Sequence, residues 1–186
     1  MSKVLIKSTK DFLAGRAWGA SLAVTLNMKQ GQRYEDPEGK LSGSFYVPLD
    51  EYRINQNLRH FLNLLNRACF GNNWRRNNKH LNVVVAKEAV SREHLHLRIS
   101  VPYPNPRSFK ELRSQRIPPH MFVNLIARCW NKTEWSYGKV VFGENKPNDI
   151  GFCDEGWGNY LTKKKSKENY DLAFPWQVIS LPAKAS

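Results

Sequence analysis

The run His94-Leu95-His96-Leu97-Arg98-Ile99-Ser100-Val101 alternates with a period of two, and that alternation constrains the fold more than any other stretch. A strand turns successive side chains to opposite faces. Leu95, Leu97, Ile99 and Val101 therefore make an apolar row suited to a core, while His94 and His96 share the other face. Two imidazoles two residues apart on a strand with a buried back are a ready pair of metal ligands. The plainer reading is an exposed strand face that carries two histidines.

Other segments supply the remaining elements. Ser21 to Met28 alternates, with Leu22, Val24, Leu26 and Met28 on one side and Ala23, Thr25 and Asn27 on the other, which predicts a half-buried strand. Gln30 to Ser44 is polar and glycine-rich and reads as an exposed loop. Asp50 is placed to cap a helix running to Cys69, whose apolar positions Ile54, Leu58, Phe61, Leu62 and Leu65 follow helical spacing. A basic loop, Trp74 to His80, separates it from a hairpin of Leu81 to Glu88 and His94 to Val101. Pro118-Pro119 opens a helix through Trp130. Tyr137 to Phe142 reads as a short strand, Gly156 to Lys165 as a helix and Trp176 to Leu181 as a closing strand. The class expected is α+β: a central antiparallel sheet of about five strands with flanking helices, ferredoxin-like, in one domain spanning 1–186.

Charge narrows the partners. The chain has 29 Lys+Arg against 16 Asp+Glu, a net +13, a field that attracts polyanions and nucleic acid above all. A membrane surface is the rival, but no long basic amphipathic helix appears, and the apolar runs are too short to span a bilayer. The 3 cysteines, Cys69, Cys129 and Cys153, are widely spaced with no CxxC pair. They point to an intracellular, cytoplasmic protein with neither a disulfide framework nor a zinc knuckle.

A third ligand is available in the hairpin. If Glu88 lies opposite His94, the two share a face, and the small Ala86 then opposes His96. Two imidazoles and one carboxylate suit Mn²⁺ or Mg²⁺ with positions left for water and phosphate oxygen, and would also accept Zn²⁺ or Fe²⁺. Near the other end of the chain, Tyr160 and Lys163 are three apart, on one surface of a helix. A phenol of pKa about 10 becomes a useful nucleophile only when a cation stabilises its phenolate. Lys163 and the following Lys164 and Lys165 would also hold phosphate. Taken alone, a tyrosine near a lysine is an ordinary surface pair.

Together these motifs resemble those of the HUH endonucleases, the rolling-circle replication initiators and their relatives. Ala23-Val24-Thr25-Leu26-Asn27 resembles their first motif, His94-Leu95-His96 the second and Tyr160-Leu161-Thr162-Lys163 the third, in family order and of the single-tyrosine type. Leu65 to Gly71, followed by Arg75-Arg76, also resembles replication proteins of filamentous phages and prophages. One departure is that Glu88 precedes His94 by only six residues, closer than in the small viral initiators, which puts the third ligand in question.

The resemblance implies sequence-specific nicking and joining of single-stranded DNA at a replication origin. His94, His96 and Glu88 would hold the divalent ion, Tyr160 would become joined to the 5′-phosphate, and Lys163 would position that phosphate. Trp74, Arg75, Arg76 and Lys164, with Thr25 and Asn27, are the candidate DNA contacts. No GxxxxGK[ST] motif occurs, so a separate helicase would unwind the duplex. A single-tyrosine transposase is the neighbouring alternative, but its tyrosine helix carries a glutamine ligand, and none lies between Trp157 and Lys167. The alternative from another class is a non-catalytic nucleic-acid-binding module, which uses an aromatic pair on its strands; none is evident on the polar face here.

Overall fold

The computed structural model describes residues 11–13, 16, 18, 20–35, 44–89, 93–100, 119–138, 140–142 and 148–153. Their elements run β1 (Ser21–Asn27), β2 (Gly31–Glu35), β3 (Ser44–Pro48), α1 (Glu51–Phe70), α2 (Asn73–Arg76), β4 (Val83–Ala89), β5 (Glu93–Ser100), α3 (Pro119–Trp130), β6 (Val141–Phe142) and β7 (Asp149–Phe152).

The main sheet has the order β4-β5-β1-β7-β6. The first four strands are antiparallel to their neighbours, and the two-residue β6 adds in parallel at the edge. With α1 leading from β1 to β4 and α3 from β5 toward β7, the connectivity is β-α-β-β-α-β, two interlocked split βαβ units of a ferredoxin-like sandwich. The expected α+β class is therefore the observed one.

One face of this sheet makes the core. Leu22, Val24 and Leu26 of β1, Val83 and Val85 of β4, and Leu95, Leu97 and Ile99 of β5 pack with Leu58, Phe61 and Leu65 of α1 and Phe122, Ile126 and Trp130 of α3. The Phe61 and Trp130 rings meet edge to face with centroids 5.5 Å apart. Burying a side chain of this size stabilises by roughly 1.5–3 kcal/mol each, so the period of two in the strands and of 3.6 in the helices decides which way every element turns. Lys87 joins the helix side of β4, where its buried ammonium pairs with Glu51 in the first turn of α1.

Helix α1 is bounded by local chemistry. The Asp50 carboxylate accepts from the Arg53 amide at 2.8 Å, satisfying a donor that the helix itself cannot. At the other end Gly71 takes φ 58° and its N–H donates to the Arg67 carbonyl at 2.9 Å. A side chain there would strain the left-handed backbone. Asp50→Ala is expected to lower stability by about 1 kcal/mol, read by chemical denaturation.

Several sequence expectations are corrected. Gln30 to Ser44 is not a plain loop: Gly31–Glu35 and Ser44–Pro48 pair as a second, two-stranded sheet. Tyr34 and Phe45 stack across it at 5.8 Å, and Gln32 ties it to the Glu134 carbonyl at 2.8 Å, so cross-strand contacts outside the main core hold this hairpin. The basic loop after α1 begins with the one-turn helix α2. The strand expected over Tyr137 to Phe142 shrinks to Val141–Phe142, while the Tyr137 amide donates to the Asn27 carbonyl at 3.1 Å. A strand that the sequence did not announce, β7, takes the place beside β1. The helix expected at Gly156 to Lys165 and the strand at Trp176 to Leu181 lie outside the described residues. Among the described residues no helix is long and apolar enough to cross a membrane.

Candidate metal centre

The polar face of the sheet is built by register. Glu88 pairs with His94, Ala86 with His96, Asn27 with His94 and Thr25 with His96. Paired residues project to the same side, so β4, β5 and β1 together set Glu88, His94, His96, Thr25 and Asn27 on one surface. The core requires this, because sliding β5 by one residue would bury the histidines and expose Leu95 and Leu97.

Glu88 reaches directly across to His94 and diagonally, past the methyl of Ala86, to His96. Its Oε2 lies 3.3 Å from His94 Nε2 and 3.0 Å from His96 Nε2. The two imidazoles stand nearly perpendicular, at 85°, with centroids 4.8 Å apart. Glu88 and His96 are buried and His94 is half-buried. Burying a carboxylate is costly unless it is paired, and both imidazoles turn to the same oxygen.

These three residues offer one ligand atom each, all within 4.8 Å of one another, and form a group able to hold a metal ion. Ligands at right angles on an ion with bonds of about 2.1 Å stand about 3.0 Å apart. The two Glu88–imidazole separations lie close to that spacing.

Thr25 orients His96 from the other side, its Oγ1 lying 3.1 Å from Nδ1. A hydroxyl both donates and accepts. With Nε2 protonated toward Glu88, Nδ1 accepts from Thr25; with Nε2 on a cation, Nδ1–H donates to it. The contact survives either tautomer and fixes the ring plane. Thr25→Val keeps the shape but removes this partner, and a loss of about 10- to 100-fold in metal affinity is expected, measured by Mn²⁺ titration.

Asn27 serves the architecture. Its amide donates to Asn148 Oδ1 at 2.5 Å and its Nδ2 to the same oxygen at 3.3 Å, while Asn148 Nδ2 donates to the Tyr137 carbonyl at 2.5 Å. The fully buried Asn148 locks the end of β1 next to His94. Sequence reasoning missed it, and missed Asp149, which pairs with Thr25 on the far side from His96 and whose buried Oδ1 has no hydrogen-bond partner among the described residues. Both sit in an Asn/Pro/Gly-rich stretch that reads as loop, so no signal announced them.

Of the remaining candidates, three are described. Trp74, Arg75 and Arg76 lie on α2, with the Arg75 guanidinium 5.0 Å from the centre of the Trp74 ring and Trp74 edge-on to His80 at 5.9 Å. The chain from α2 enters β4 at Val83, and Glu88 is five residues further, roughly 17 Å along the strand. This basic patch is thus at the opposite end of β4 from the Glu88–His94–His96 group. Tyr160, Lys163 and Lys164 lie outside the described residues. The Cys69 thiol is pushed up to about 12 by burial, and burial also raises Cys129, so both stay protonated thiols. Arg98, two residues beyond His96 on β5, donates from Nε to Ser21 Oγ at 3.0 Å and lies 4.7 Å from the centre of the Trp18 ring. Burial draws its pKa below the ordinary arginine value.

No family model, curated protein or solved structure matches this chain.

Proposed function

We propose that this chain is a metal-dependent endonuclease of the HUH type that nicks and rejoins single-stranded DNA, as in the initiation of rolling-circle replication. The observation that carries the reading is the convergence of Glu88 Oε2, His94 Nε2 and His96 Nε2 on the polar face of a ferredoxin-like sheet. A divalent ion there, Mn²⁺ or Mg²⁺, would supply positive charge to polarise the scissile phosphate. Glu88, His94 and His96 hold the cation, and Thr25 keeps His96 in its ligating orientation. Tyr160, placed by its YxxK motif, is the nucleophile. Its phenol oxygen bonds to phosphorus, the P–O3′ bond breaks, and a 3′-hydroxyl leaves with a proton while the 5′-phosphate stays on the tyrosine. Attack by a later 3′-hydroxyl reverses the step and joins strands. Lys163 neutralises the phosphate, and Lys164 with the Trp74–Arg76 patch holds more distant parts of the strand.

The test is incubation with single-stranded DNA and Mn²⁺, read on a denaturing gel beside Tyr160→Phe. A covalent protein–DNA band lost in the variant supports the reading. Tight DNA binding without an adduct, across diverse sequences and several ions, would favour a binding module.

A further inference from the structure

A second surface at the same end of the sheet carries chemistry that the metal ligands do not use. β1 ends at Asn27, opposite His94, and β2 begins at Gly31. Four residues of chain span at most about 14 Å, so the β2–β3 hairpin starts close to the metal centre. The hairpin has two unlike faces. On one, Val47 packs on the core and Gln32 and Tyr34 donate to the carbonyl and the carboxylate of Glu134. On the other, Arg33 stands directly across from Tyr46.

The phenol end of the Tyr46 ring lies over Gly31, in the space that a Cβ at that position would occupy. A glycine is therefore required there for the ring to settle on the strand. Tyr46 is nevertheless 61% exposed, and Arg33 beside it is exposed too. An aromatic ring seated on backbone, open to solvent and adjoining a guanidinium, meets the two needs of a single-stranded nucleic acid: a π surface for a base and a cation for a phosphate. The net charge of +13 gives the chain the sign complementary to that ligand.

We infer that Arg33 and Tyr46 form a docking shelf for single-stranded DNA, where one base stacks on Tyr46 and a neighbouring phosphate pairs with Arg33. The inference rests on the proposed function for the identity of the strand, and it adds the place where the strand is gripped on its way to the metal centre.

Fluorescence anisotropy of labelled oligothymidine, with chelator present so that no metal contributes, separates the two claims. Tyr46→Leu is expected to weaken binding about 5- to 100-fold and Tyr46→Trp to hold it. Arg33→Gln is expected to reduce the slope of log K against log salt by about 0.7, which Tyr46→Leu leaves unchanged. An oligonucleotide carrying 5-iodouracil should photocrosslink to Tyr46, and circular dichroism checks that the variants fold. Wild-type affinity in folded Tyr46→Leu overturns the shelf while leaving nicking at the metal centre untouched. Tyr46-dependent binding with no Mn²⁺-dependent adduct would uphold the shelf and remove the nuclease.

Discussion

Tyr160→Phe forms no covalent adduct with single-stranded DNA, and its cleavage rate falls on the order of 10⁴-fold or more. The substitution removes one oxygen and keeps the ring, so packing and strand affinity stay close to wild type. The whole deficit should appear in kcat with KM nearly unchanged, the signature of a group that acts only in the chemical step. Metal affinity should also be unchanged, because the proposed ligands are Glu88, His94 and His96. Single-turnover cleavage of an end-labelled oligonucleotide measures the first effect and Mn²⁺ titration the second. An adduct that persists in Tyr160→Phe would move the nucleophile elsewhere, with Tyr170 the next tyrosine along the chain.

Glu88→Gln and His96→Ala lower cleavage by about 10²- to 10³-fold, the scale on which one preorganised electrostatic partner is lost. The two variants differ in a way that reports on the site. Glu88→Gln keeps the shape and an acceptor but loses the charge, so excess Mn²⁺ should restore part of the rate. His96→Ala removes a ligand, breaks the Thr25 contact and leaves the buried Glu88 carboxylate with one imidazole fewer. It should also reduce stability by about 1–3 kcal/mol, as expected for a buried polar group deprived of a partner. Thermal melts with and without Mn²⁺ separate these effects: ion binding to the folded state raises the melting temperature of the wild type but not of His96→Ala at the same concentration.

The candidate metal-binding group is legible in the sequence because two local signals agree. The alternation through His94–Val101 puts both histidines on the polar side, and the short hairpin connection puts Glu88 across from His94; the register has both features. Helix α1 is equally plain, from the Asp50 cap to the glycine at its end. Thr25 is visible as a polar strand residue, but its contact with His96 Nδ1 depends on β1 pairing with β5 across 71 positions of chain, which no local pattern encodes. The β2–β3 hairpin reads as loop because the side turned to the protein meets Glu134 and a limited part of the core rather than a full helix layer. β7 escapes notice for a related reason: Asp149-Ile150-Gly151-Phe152 is four residues long, offers one buried apolar side chain and takes its place only because β1 has an open edge.

The most direct measurement is a crystal soaked in Mn²⁺, with the ion located by its anomalous scattering. One peak is expected within about 2.0–2.3 Å of Glu88 Oε2, His94 Nε2 and His96 Nε2, with Thr25 still on His96 Nδ1. Full-occupancy Mn²⁺ bound elsewhere, with Glu88 and the two imidazoles left hydrogen-bonded to one another, would contradict a metal centre on this face.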